Sequence, residues 1–200
     1  MALINYAKKE ITCKIVYYGP GRSGKTTNLQ YIYSKLPEDR KTQMISLATE
    51  MDRTLFFDFL PIELGLIGQY TIKYQLYTVP GQVYYDSTRK LVLQGADGVV
   101  FVADSQYSRF DDNIENLENM DENLKKNNIS IDEIPIMLQY NKRDVIDLIP
   151  VDKLESALNK RKWEYTESIA ISGDGVIHTL KIISNLVLTS IKDKYSRKVR

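Results

Sequence analysis

The sequence predicts one α/β domain: a mostly parallel central sheet of about six strands, one of them an antiparallel edge strand, with helices on both faces. Three observations predict it. Runs of β-branched and aromatic residues alternate with segments of helical periodicity. Strand ends open repeatedly onto loops, where a doubly wound sheet places its ligand. And 200 residues at 43% hydrophobic content suffice for one core, with no repeat, low-complexity tract or linker dividing residues 1–200.

Each element has its own signature. Strands are expected at 11–18 (ITCKIVYY), 71–78 (TIKYQLYT), 97–103 (DGVVFVA) and 134–140 (IPIMLQY), with a weaker one near 166–171 and an edge strand at 54–59 (TLFFDF). Helices are expected from Lys25, from near Ser87, over 111–126 where Ile114, Leu117 and Leu124 share a face, and over 151–161. The last, 175–193, carries Val176, Leu180, Ile183, Val187 and Ile191 at helical spacing and closes the domain.

Composition narrows the function. Charge is nearly balanced, 27 basic against 26 acidic residues, so nothing global calls for nucleic acid or a membrane surface. Cys13 is the single cysteine, which rules out an intrachain disulfide and a cysteine zinc site and fits a reducing, cytoplasmic setting. The start MALINYAKKEI lacks the apolar core of a secretion signal, and no run reaches the length of a membrane span. The ending KYSRKVR holds no cysteine, so no prenyl membrane anchor is expected.

The chemistry lies in the loops. Gly19–Thr26, GPGRSGKT, satisfies G-x-x-x-x-G-K-[ST] directly after a strand and before a helix. There Gly19, Gly21, Arg22, Ser23 and Gly24 wrap backbone N–H groups around phosphates. Lys25 reaches the β- and γ-phosphates, Thr26 offers its hydroxyl to Mg²⁺, and Thr27 follows on the helix. Asn141-Lys142-Arg143-Asp144 ends the strand 134–140, and the Asp144 carboxylate can accept from guanine N1–H and its exocyclic amine. Asn141 would order the loops and the Lys142 stem would lie along the base.

Two segments between these motifs look like sensors of a γ-phosphate. In SLATEMDRTLFFDF, residues 46–59, Thr49 and Thr54 can each place a hydroxyl on Mg²⁺, and Thr54 is preferred because it leads straight into the edge strand. In YTVPGQVYYD, Gly81 N–H meets the γ-phosphate and Gln82 orients the attacking water. Three residues before that glycine, where such switches place an aspartate near the metal, stands Thr78. Thr78 leaves open a nucleotide-bound scaffold without hydrolysis. Asp104, ending GVVFVAD, admits an adenine-specific ATPase or kinase, although Asn-Lys-x-Asp has no place in that reading. Ser172-Gly173, in AISGDG, reads as a simple turn or, by resemblance to Ras-like small GTPases, as the last base-contacting loop; His178 reads as structural or exposed, and Tyr84-Tyr85 as core, surface or partner contacts.

Taken together, GPGRSGKTT, TEMDRTLFFDF, YTVPGQVYYDSTRKLVLQGADGVVFVADS and QYNKRD resemble the Ras-like small GTPases, and within them the MglA type, bacterial regulators of gliding motility and cell polarity. The resemblance implies the Ras-like P-loop fold, GTP and GDP as substrate and product, Mg²⁺ as cofactor and a slow GTPase. It implies a dimeric Roadblock/LC7-type activating partner similar to MglB, polarity or motility effectors, and recruitment to cell poles through partners. It makes Arg53 a built-in catalytic arginine, with Arg22 a second candidate, and Thr78 a feature of the branch. By analogy the missing aspartate would hold a metal-bound water, a role open to Asp52 or Asp58.

Overall fold

A computed structural model describes residues 2–37, 43–46 and 57–198. Its centre is β2, Glu10–Tyr18. Alternation sends Ile15 and Tyr17 to one face and Val16 and Tyr18 to the other, and all four are buried, as in a strand covered on both sides. On one side β2 pairs in parallel with β5, Tyr70–Thr78; on the other it pairs in parallel with β6, Gly98–Asp104. β7, Ile136–Asn141, and β8, Glu164–Glu167, continue the sheet in parallel. Beyond β5 lie β4, Asp58–Ile67, antiparallel to it, and then β3, Ile45–Ser46, antiparallel to β4. β1, Leu3–Asn5, pairs antiparallel with the start of β2.

The sheet thus has eight described strands rather than six, because β1 and β3 are three and two residues long, too short to show periodicity. The predicted edge strand lies later in the chain, as β4, and β3 covers its outer side. Pro61 and Gly65 disguise β4 in the sequence. Between Glu63 and Leu66 the register shifts as a bulge, with Gly65 in the left-handed region (φ 107), and Gly68 (φ 59) opens the two-residue turn into β5.

One face of the sheet carries α2, Asp86–Leu93, α3, Phe110–Lys126, and α4, Val151–Leu158, packed on Val16, Val99, Phe101 and Leu138. The other carries α1, Lys25–Lys35, and α5, Val176–Lys198, where Leu29, Ile32, Val176, Leu180, Ile183 and Val187 close on Ile15, Val100 and Val102. α4 stops short of 161 because the Asn159 side chain caps its end, accepting from Trp163 N–H (2.7 Å) and donating to Trp163 O. β8 stops at Glu167, where the chain turns inward toward Asn141.

Candidate nucleotide site

The phosphate loop spans the gap between Tyr18 and Lys25. Two of its positions admit only glycine: a Cβ at Gly19 (φ 131) would lie 2.3 Å from Val102 O, and one at Gly24 (φ 101) 2.2 Å from Asn141 Nδ2. α1 starts at Lys25 with no side-chain cap and no acidic residue in its first turn. Its positive end therefore points into the loop. Ser23 is buried with its hydroxyl unpartnered among the described residues, as a ligand-facing group would be.

Lys25 lies folded over this loop, donating from Nζ to Gly19 O (2.8 Å) and Pro20 O (2.7 Å). Burial above all, then the charge of Arg89, draws its pKa down to about 7, against an opposing pull from Asp58 and with a smaller push from Arg109. Both arginines lie outside the sequence motifs. Arg109 follows β6 and donates to Gly21 O (2.9 Å) while pairing with Asp112. Arg89, on α2, is fully buried over the Tyr18 ring and donates to Asn116. No sequence pattern marks either one; only the fold brings three cations to one loop, a concentration of positive charge suited to polyphosphate. Arg22 (φ 63) stands exposed on the loop's rim.

Asn141 joins three loops. Its Nδ2 donates to Ser23 O in the phosphate loop (2.7 Å), and its Oδ1 accepts from Ala170 N–H (2.9 Å) and Ser168 Oγ (3.3 Å). Lys142 is in the left-handed region (φ 66) and its Nζ is anchored on Asp104 (2.6 Å), which fixes the direction of its stem. Asp104 also accepts from Gln106, so its carboxylate is committed within the protein, contrary to a metal-binding Walker aspartate. Asp144 is exposed and has no hydrogen-bond partner among the described residues, leaving its oxygens open to a ligand.

The last loop corrects one expectation. Ala170 comes up to Asn141 and Gly24, whereas Ser172 turns to Ile169 O and Asp174 and Gly173 packs against the Tyr31 ring. Ser172 and Gly173 are therefore not brought to the site. The place of AISGDG in the chain suggested Ser172, but a tight turn, closed by the Ile169–Asp174 bridge, points it away.

On the switch side, Gly81 lies backbone to backbone against the phosphate loop: a Cβ there would be 2.1 Å from Gly21 Cα. Gln82 beside it is exposed. Asp58, the first residue of β4, is fully buried and accepts from Thr26 Oγ1 (2.5 Å), Ser46 Oγ (2.5 Å) and Thr78 Oγ1 (2.8 Å). A carboxylate and hydroxyls converging beside the phosphate loop are hard oxygen donors of the kind Mg²⁺ takes, so the residues fit that ion. Thr49, Asp52, Arg53 and Thr54 lie outside the described residues.

A phosphate loop at the end of a central parallel strand, bound through Asn141 to an Asn-Lys-Arg-Asp loop and overlain by a glycine of the adjoining switch, defines a Ras-like P-loop nucleotide-binding domain. The model of the ADP-ribosylation factor family matches residues 1–187, and the chain belongs to that family of Ras-like small GTPases. It is 54% identical over 192 residues to the mutual gliding-motility protein MglA of Myxococcus xanthus, covering 96% of this chain and 98% of that protein. It is 23% identical over 202 residues to ADP-ribosylation factor-like protein 6 of Caenorhabditis briggsae, covering 97% and 95% respectively. Membership carries guanine-nucleotide binding and GTPase activity.

Proposed function

We propose that the chain is a switch in gliding motility and cell polarity that hydrolyses GTP to GDP and phosphate, slowly alone and rapidly with a dimeric Roadblock-type partner similar to MglB. The observation that carries this reading is the contact of Gly81 with the phosphate loop beside an exposed Gln82. A sensor of the γ-phosphate resting on the loop, with its water-orienting side chain turned outward, describes a site that hydrolyses only after the switch is rearranged.

The chain's own groups divide the work. Lys25 stabilises the β- and γ-phosphates, Gln82 orients the attacking water, and Arg53 neutralises charge on the transferring phosphoryl group. Thr26 and Thr54 would hold Mg²⁺, which would supply charge neutralisation to the polyphosphate. Asp144 selects guanine, because a base that cannot donate to it leaves the carboxylate unpaired. Tyr84, 89% exposed next to Gln82, offers the partner an aromatic contact on the switch surface. No helix among the described residues is long and apolar enough to cross a membrane. Recruitment to a cell pole would run through partners, as the resemblance to MglA-type regulators implies.

Single-turnover GTP hydrolysis with and without the Roadblock-type protein tests the reading. Arg53→Ala should leave GTP binding intact and lower stimulated turnover by about 10³-fold. Unchanged stimulated turnover would remove Arg53 from the mechanism, and GTP retained by the wild type despite the partner would favour a non-hydrolysing scaffold.

A further inference from the structure

We propose that Arg109 is a positioning residue of the phosphate loop: by holding Gly21 O it selects the turn that aims the Arg22 N–H at the phosphates of the nucleotide. The proposal rests on the nucleotide reading above and adds to it a residue that lies outside the loop's motif.

The loop contains a turn with an unfavourable residue in it. Ser23 N–H donates to Pro20 O (3.3 Å), closing a four-residue turn with Gly21 and Arg22 at its centre. Arg22 is in the left-handed region (φ 63), while the φ of Gly21 lies outside it. A positive φ at the third position alone marks a type II turn, and glycine or asparagine ordinarily stands there. The Cβ of an arginine disfavours that conformation, so the local sequence leans toward a type I turn. The two types differ by a flip of the central peptide, here the one joining Gly21 to Arg22. That flip decides the direction of one donor, because C=O and N–H point opposite ways in a planar trans peptide. α3 and α1 cover opposite faces of the sheet. A Gly21 O turned toward α3 therefore leaves the Arg22 N–H turned toward α1, whose positive end faces the loop. Flipped, the same peptide would present a carbonyl oxygen to the phosphates, and like charge would repel it.

Arg109 holds the peptide the favourable way. It ends the short 3₁₀ turn Tyr107–Arg109 ahead of α3, donates from Nη2 to Gly21 O (2.9 Å) and pairs through Nη1 with Asp112 (2.5 Å) in the first turn of α3. The guanidinium fork thus ties the turn to a helix that Met120 and Leu124 seat in the core. To make that bond the side chain leaves Nε buried with no partner among the described residues, a cost that a plain surface ion pair would not carry. Gly81 rests on the same residue from the switch side, where a Cβ would be 2.1 Å from Gly21 Cα. Arg109 therefore steadies the turn at the residue the switch leans on.

The test follows backbone amides of the ¹⁵N-labelled chain by NMR with and without GDP and Mg²⁺. In the wild type the Arg22 and Lys25 amide protons should both move downfield on loading, as donors to a charged acceptor do. Movement of neither would sink the nucleotide reading itself, and movement of Lys25 alone would overturn this proposal. In Arg109→Met, which keeps much of the side chain's length and loses the fork, the Arg22 amide should lose its downfield shift while the Lys25 amide keeps its own. GDP affinity should fall about 10- to 100-fold, the worth of one hydrogen bond to a charged group. Adding Arg22→Gly gives the third position a residue that takes a positive φ without steric cost, so the double variant should recover most of the lost affinity. An unchanged Arg22 amide in Arg109→Met, an equal loss of both shifts, or no recovery in the double variant would overturn the proposal. The Arg109 side chain gives a readout free of variants. In the loaded wild type its Nη–H signals should be resolved, and signals averaged by free rotation would also overturn the proposal.

Discussion

Lys25 gives the nucleotide site a measurable proton linkage. Without ligand, burial and then the Arg89 charge hold its pKa near about 7, and a bound polyphosphate would return it toward the ordinary lysine value near 10. At pH 8 about nine-tenths of the free protein would carry a neutral Lys25, so binding takes up about 0.9 proton; at pH 6 it takes up about 0.1. Between pH 7 and 9 the same linkage lowers nucleotide affinity by about 50-fold. Calorimetric titration of GDP at pH 8, above the titration of its own phosphates, in two buffers of different ionisation enthalpy reads the proton count directly. Lys25→Arg, which stays charged, should abolish the uptake. The sign for folding follows from the same shift. The unfolded chain holds the proton up to about pH 10 and the nucleotide-free fold releases it near 7, so stability of the empty protein rises with pH across that window. Proton uptake near zero at pH 8 in the wild type would refute the reasoning.

Two further outcomes test the base-side half of the site. Asp144→Asn should weaken GTP and GDP binding by about 10²-fold or more while leaving the melting temperature of the nucleotide-free protein unchanged, because the exposed carboxylate has no described protein partner; competition against ATP during nucleotide loading measures it. Gln139→Leu removes the donor and acceptor that meet Asn28 (2.8 and 3.0 Å) and the donor that meets Thr179 (2.9 Å), leaving Asn28 Oδ1 stranded in the core. A loss of about 2–3 kcal/mol in denaturant unfolding is expected, together with faster nucleotide release, since Asn28 also donates to Gly24 O.

Most of the parallel half of the sheet was legible because β2, β6 and β7 are largely apolar runs, β5 alternates, and the helices repeat their apolar residues every three to four positions; β8, EYTE, gives a weaker signal. Asn141 was legible because its work is set by the motif that contains it, and its bonds to Ser23 and Ala170 are the loop-ordering role expected. Asp58 was legible only as one of two candidates with Asp52, since its partner Thr78 is fixed by the register of an antiparallel pair that Pro61 and Gly65 conceal. Ser172 was misread for a related reason: the conformation of a six-residue turn decides which of Ser168, Ala170 and Ser172 faces Asn141, and all three are small residues. Arg89 and Arg109 had no signal at all, because a cation reaches the phosphate loop from any helix that packs beside it.

The placement of polar groups separates a fixed reader from a movable sensor within one sheet. On the base side, Asn28, Gln139, Thr179 and Thr166 form a continuous buried chain of hydrogen bonds between α1, β7, β8 and α5, and Asn141 extends the bracing to the loops. Such a network has one good arrangement and resists displacement. On the switch side, α2 meets α3 through polar contacts: Asp86 accepts from Asn119, Asn123 and Lys126, and Arg89 reaches Asn116 with Nε and Nη1 unpartnered among the described residues. Val92 and Leu93 keep the far end of α2 in the core, whereas its first turn can exchange the asparagine partners of Asp86 for water and so loses less on moving. The segment that bears Gly81 and Gln82 is therefore tied at its far end to the part of the fold that can be remade, while the residues that identify the base stay where Asn141 holds them.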